Sequence, residues 1–175
     1  MDLLDRKSKS LPISIRDAEE GDISFIFSSW LKSYRPGLLC KHVDNTIYFA
    51  EHHKLVERLL RRSFTIIATD PADPATIYGY LTYERVEGLL VIHYAYVKHT
   101  FRAMGVLRQL LASLKHDWKL AGLYTHSTII SARLSMKYNL IYHPYILINY
   151  NDLKPETTKS AELENSISEI KPNEE

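Results

Sequence analysis

Residues 64–98 hold three apolar, β-branched and aromatic runs: 64–69 (FTIIAT), 76–84 (TIYGYLTYE) and 89–98 (LLVIHYAYVK). The first two are separated by Asp70-Pro71-Ala72-Asp73-Pro74, the last two by a turn at Glu87-Gly88. Connections this short join only antiparallel neighbours, so the segment predicts a three-stranded meander. The pattern then changes period. Val106, Leu107, Leu110, Leu111 and Leu114 recur at helical spacing, which predicts a helix over 103–121 with Gly122 as its C′ residue. A strand over 123–127, a helix over 129–138 closed by Asn139, and a last strand over 142–150 follow. Two strand–helix–strand crossovers favour parallel pairing.

Upstream, residues 11–16 (LPISIR) alternate as a short strand does. Asp22 is placed to N-cap a helix over 23–34, whose apolar face is Ile23, Ile26, Phe27, Trp30 and Leu31. Arg35-Pro36-Gly37 stops that helix, and 46–62 reads as a second one with a basic end. The order β-α-α-β-β-β-α-β-α-β predicts an α+β fold: a mixed, mostly antiparallel sheet with helices on both faces.

At 175 residues and 45% hydrophobic, the chain can bury one self-sufficient core. Residues 1–150 are assigned to that domain. Residues 151–175 lack aromatics and carry seven acids against three bases. Such a segment buries too little to offset chain entropy and is expected to be a disordered acidic tail of net charge −4, leaving +5 on the remainder. Lys+Arg 22 against Asp+Glu 21 disfavours nucleic acid as a partner by bulk charge. A single cysteine, Cys40, cannot form an internal disulfide, and a cytoplasmic location is expected. The opening MDLLDRKSKS lacks an apolar signal core, and no run approaches the roughly 20 apolar residues of a membrane span.

The chemistry-bearing stretch runs from Tyr94 to Leu107 (YAYVKHTFRAMGVL). A strand ends, a loop follows, and a helix begins near Arg102-Ala103-Met104-Gly105. Backbone N–H groups at a helix start converge on one point, which suits an anion. Gly105 admits close approach of a ligand to the backbone, and Lys98, His99, Arg102 and Arg108 add positive charge. A pyrophosphate fits such a cradle.

With Val97 before it, Arg102-Ala103-Met104-Gly105-Val106-Leu107 resembles the acetyl-CoA loop of the GNAT superfamily, the GCN5-related N-acetyltransferases. Ile15-Arg16-Asp17-Ala18 through Trp30 is similar to that family's first strand and helix, and Ala132–Leu140 (ARLSMKYNL) to its closing segment. The chain departs at Leu107, where the family has glycine or alanine, and at Ser135, where it often has a thiolate-protonating tyrosine. The resemblance implies an acyl-CoA-dependent N-acyltransferase that passes acetyl from acetyl-CoA to a primary amine by direct attack. It implies a bulge near Tyr96, a splay between the strands 89–98 and 123–127, and cofactor contacts from Tyr96, Val97, Arg102, Ala103, Met104, Gly105, Val106 and Leu107. It makes His93 the general base, with Glu84 the second choice; strand alternation puts His93 on one side with Ala95 and Val97 unless the bulge intervenes. A hydrogen-bonded structural histidine and a solvated strand-end carboxylate are the plainer readings of the same two residues.

Tyr94, Tyr96, Tyr138 and Tyr142 are candidates to protonate the thiolate. His42, His52 and His53 match no metal spacing and read as solvated helix residues, as do Arg58, Arg61 and Arg62 at a helix end. A non-catalytic binding module of the same fold and a nucleic-acid-modifying relative are the alternatives. A two-fold homodimer is a common solution for such domains.

Overall fold

The computed structural model describes residues 11–37 and 39–148. The expected tail, 151–175, lies outside these residues, as does the end of the expected last strand. Six strands form one sheet in sequential order, β1 to β6. These are β1 (Ser14–Asp17), β2 (Phe64–Thr69), β3 (Ile77–Val86), β4 (Leu89–Val97), β5 (Gly122–Tyr124) and β6 (Leu140–Tyr142). Neighbours from β1 to β4 run antiparallel. The pairs β4–β5 and β5–β6 are parallel, as the two crossovers require.

Helices cover both faces. On one lie α1 (Ile23–Tyr34) and α2 (Asn45–Arg62), packed over Ile67, Ile77, Tyr80 and Tyr94. On the other, α3 (Val106–Ser113) packs over Ile66, Tyr78, Leu81 and Ile92, joined by Tyr138 of α4 (Ile129–Tyr138). The apolar stripe of α1 is buried as its spacing dictates, with Ile26 and Trp30 wholly out of water. Each such side chain contributes about 1.5–3 kcal/mol of transfer free energy. The Tyr48 hydroxyl donates to the Leu31 carbonyl at 2.8 Å and ties α2 to α1.

Asp22 precedes α1 but does not cap it. Its carboxylate accepts from the Glu19 N–H at 2.8 Å and pairs with Arg16 at 2.6 Å, closing the turn before the helix. Asp44 is the true cap of the next helix, accepting from the N–H of Thr46 at 2.8 Å.

The expected helix over 103–121 is much shorter. Ala103 has φ 63° and Lys115 φ 49°, left-handed backbone that no helix interior contains, and α3 lies between them. Asp117 accepts from the Lys119 N–H at 3.0 Å, a local turn that competes with further helix. Gly122 therefore opens β5 instead of terminating α3. The expected strand over 142–150 gives way after Tyr142 to a 3-10 turn, Pro144–Leu147, because Pro144 has no N–H to extend a ladder.

Candidate functional site

The site arises where β4 and β5 part. The two strands pair only at Val91↔Leu123 and Ile92↔Tyr124, followed by one bond from the Thr125 N–H to the Ile92 carbonyl at 3.1 Å. Beyond it β4 continues to Val97 while β5 has ended. A cleft of ≈450 Å³ fills the gap, with Ala95, Tyr96 and Val97 on one wall and Tyr124, His126 and Thr128 on the other. The splay implied by the sequence resemblance is thus present.

The bulge is displaced from Tyr96. Register passes from Tyr83↔Ile92 to Thr82↔Tyr94, so His93 is the extra residue. That residue flips the alternation. Leu90 and Ile92 share the α3-side core with Ala95 and Val97, whereas Tyr94 and Tyr96 join the α1–α2 side. His93 consequently does not share a side with Ala95 and Val97, as plain alternation had predicted. It turns to Glu84 of β3.

At the cleft mouth β4 hands over to α3. The Lys98 N–H donates to the Tyr78 carbonyl at 2.9 Å, so alternation turns the Val97 N–H toward the open side. The first bond of α3 runs from the Gln109 N–H to the Gly105 carbonyl, which leaves the N–H groups of Val106, Leu107 and Arg108 ahead of the helix's own ladder. Gly105, at φ 84°, is the N-cap. A β-carbon built there meets only the Arg108 guanidinium, at 3.9 Å, so its outer face is open. Arg102, Ala103, Gly105, Val106, Leu107 and Arg108 all line the cleft. Met104 does not and is 47% exposed. Ser135 is also off the cleft, its hydroxyl donating to Ala132 of its own helix at 2.8 Å. Of the four tyrosines, Tyr94 and Tyr96 line it, while Tyr138 packs on Trp118 and Tyr142 on Tyr124. Burial pushes the Tyr94 hydroxyl up to about 12, and it meets the Ser33 hydroxyl at 2.8 Å.

Behind the cleft runs a buried polar chain. Arg62 Nε donates to Glu84 Oε2 at 3.1 Å, and His93 Nε2 lies 3.2 Å from Glu84 Oε1. His93 Nδ1 is 3.1 Å from Thr125 Oγ1, which is 2.9 Å from His126 Nδ1. Every side chain from Glu84 onward is at least 97% buried. Glu84 is therefore no solvated strand-end carboxylate, since β3 runs on to Val86 and α2 covers it. Arg62 likewise leaves the solvated run, with 14% of its side chain exposed, whereas Arg61 pairs with Glu57 at the surface. Burial pushes the Glu84 carboxyl up, but hydrogen bonding and charge from His93 and then Arg62 outweigh it and hold it down. Burial also holds His93 below the usual imidazole range, against the pull of Glu84.

Two further expectations change. His52 stacks between Tyr34 and Tyr48, and burial lowers it to about 4. His53 packs on Phe27 at 4.3 Å, so neither is a solvated helix residue. No cluster of potential metal ligands occurs among the described residues. Thr125 and His126 were not singled out by sequence reasoning. Their only signal is a polar pair at the end of an apolar run, LYTHS.

No protein-family model and no curated protein matches the chain. Solved structures do. One is a possible acetyltransferase from Clostridium difficile 630, at TM-score 0.50 and 19% identity over 75% of this chain and 91% of that one. PaiA N-acetyltransferase from Thermoplasma acidophilum, solved with coenzyme A, matches at TM-score 0.45 and 14% identity over 59% and 69%. A GNAT-family acetyltransferase from Brucella melitensis, solved with acetyl-CoA, matches at TM-score 0.41 and 15% identity over 60% and 70%. The chain has the α+β fold of the GNAT superfamily. None of the helices described is long and apolar enough to cross a membrane.

Proposed function

We propose that this protein is an acyl-CoA-dependent N-acyltransferase that moves an acetyl group from acetyl-CoA to a primary amine. The observation that carries the reading is the joint geometry of the splay and α3. A strand-lined slot opens directly onto a helix N-terminus whose cap, Gly105, leaves its outer face clear. A slot suits an extended pantetheine arm, and the N–H groups of Val106, Leu107 and Arg108 with the Arg102 and Arg108 guanidinium groups suit a pyrophosphate. The likeness of fold to a possible acetyltransferase supports the assignment.

In this reading Tyr96, Val97, Arg102, Ala103, Gly105, Val106 and Leu107 contact the cofactor, and Met104 contributes backbone alone. The Val97 N–H polarises the thioester carbonyl as the amine attacks it, forming the C–N bond while the C–S bond breaks. His93 and Glu84 belong to the proton path. The enzyme supplies position, carbonyl polarisation and proton removal, with no covalent intermediate.

Thermal melting with and without acetyl-CoA tests the site. At about 100 times Kd the ligand adds about 2.7 kcal/mol, or roughly 5–11 °C in Tm. Gly105→Val abolishes that shift, because a branched side chain opposes φ 84° and fills the cradle. Undiminished acetyl-CoA stabilisation of Gly105→Val would overturn the placement. A screen of free lysine, spermidine and a short peptide amine for CoA release tests transfer. Binding without release from any acceptor would favour a non-catalytic module.

A further inference from the structure

We infer that His126 is the proton acceptor of the transfer reaction, acting through Nε2, and that Glu84, His93 and Thr125 fix its tautomer. This rests on the N-acyltransferase reading above. With His93 neutral, as its burial favours, the distances give the direction of each proton in the chain. Glu84, ionised beside Arg62, can only accept, so His93 carries its proton on Nε2. A neutral His93 then has a lone pair on Nδ1, and the Thr125 hydroxyl, 3.1 Å away, donates to it. With that proton committed, Thr125 Oγ1 accepts from His126 Nδ1 at 2.9 Å, and the His93 backbone carbonyl offers the same ring a second acceptor. His126 is left with its lone pair on Nε2. That nitrogen is buried and has no hydrogen-bond partner among the described residues.

The position matches the task. The bond from Thr125 N–H to Ile92 is the last between β4 and β5, and His126 follows at the fork where the cleft begins. Its ring is held edge-on by Trp30 at 5.2 Å and Tyr34 at 4.9 Å. The titratable groups facing it are Tyr34 from α1, His52 from α2, and His93 and Tyr94 from β4. Burial, then the nearness of His52 and His93, keeps its imidazole well below the usual range and hence neutral at pH 7. Nε2 is closed to direct contact, so the ammonium's proton reaches it through one bridging water: the ammonium N–H bond breaks, its electron pair stays on nitrogen, which becomes the nucleophile, and the water passes a proton on to Nε2. The proton bonds to Nε2, and the imidazolium's Nδ1–H points down the chain whose far end is the Glu84 anion. His93 is then a positioning residue, because its ring nitrogens are engaged by Glu84 and Thr125.

Long-range ¹H–¹⁵N spectra of the histidine rings in the full chain test the tautomer without any acceptor. We expect His126 to be protonated at Nδ1, Thr125→Val to move it to the commoner Nε2–H form, and Thr125→Ser to restore it. An Nε2–H form in the native protein, or no change in Thr125→Val, would overturn the relay. CoA release with lysine, spermidine or the peptide amine tests the base. His126→Gln should lower kcat by 10²–10⁴-fold, with the acetyl-CoA melting shift intact, and full activity in that variant would overturn the role. If the native protein shows the Nδ1–H form but no acetyl-CoA shift and no CoA release, the acyltransferase reading and the base role fall together, and the tautomer assignment stands.

Discussion

Replacing Glu84 with glutamine removes a negative charge from a place where 3% of the side chain meets solvent. Shape is kept, so the change isolates charge and hydrogen-bond polarity. One amide atom must face Arg62 Nε and another His93 Nε2, both donors at 3.1 and 3.2 Å, and an amide can accept from only one of them. Removing one partner of a buried pair costs about 3–5 kcal/mol. Arg62 keeps 14% of its side chain in water and can partly rehydrate, which favours the lower figure, about 3 kcal/mol. That corresponds to a Tm lower by roughly 6–12 °C. Glu57→Gln is the control, because Glu57 pairs with Arg61 at 2.9 Å with side chains 29% and 36% exposed. Such a pair contributes about 0.3–0.5 kcal/mol. Urea unfolding gives both values. The pH dependence has a fixed sign. The folded carboxyl sits below its unfolded value of 4.5, so its contribution is present above pH 4.5 and is lost as pH falls through the folded value. Native protein and Glu84→Gln should therefore converge in acid. Equal costs for Glu84→Gln and Glu57→Gln at pH 7, or a gap that persists in acid, would refute the claim that Glu84 is ionised and paired in the fold.

The buried histidines predict a second acid-labile interval at higher pH. His52 falls from 6.5 unfolded to about 4 folded, so stability is full above pH 6.5 and declines as pH falls toward 4, by roughly 3 kcal/mol from this group; His52→Phe should flatten that decline in urea titrations. A β-carbon at Gly79 would collide with the Tyr96 carbonyl and lie 3.1 Å from Val97 Cα, so Gly79→Ala should cost about 1–3 kcal/mol and shrink the acetyl-CoA melting shift. Tyr48→Phe removes the bond to the Leu31 carbonyl, which also accepts from the Arg35 N–H at 3.2 Å and so is not orphaned; a loss near 1 kcal/mol in chemical denaturation is expected.

What the sequence made legible follows what local chemistry determines. The meander, the two crossovers and the α1 face rest on periodicity and short turns, and all appear as expected. Element ends were misread where a side chain competes with the backbone. Asp22 was read as a helix cap because aspartate before an apolar run usually is one, but Arg16 and the Glu19 N–H claim its carboxylate. Lys115 adopts φ 49° with no glycine to announce it, so the leucine stripe of α3 looked longer than its helix.

The candidate site shows the same division more sharply. The helix start proposed to hold phosphate was legible as a shape, because a strand, a loop and Gly105 ahead of a helix suffice to build it. The proposed proton path was not, because the side chains that line the cleft depend on one inserted residue. Read as a flat strand, β4 sets His93 beside Ala95 and Val97, on a wall of the cleft. The bulge at His93 reverses the parity of the residues after it, so Ala95 and Val97 pass to the α3 side while the imidazole stays on the face of Val91 and its partner Glu84, which Arg62 in the last turn of α2 covers. No pattern in residues 89–98 encodes the insertion, since it exists only in the pairing of β4 with β3. Thr125 and His126 become meaningful only once that placement is made. They stand at the end of the parallel pairing, where the last β4–β5 bond leaves the next ring at the opening cleft. In the proposed route, register thus decides which residues line the cleft: the insertion leaves His93 with Glu84 while Ala95 and Val97 pass to the other face of β4.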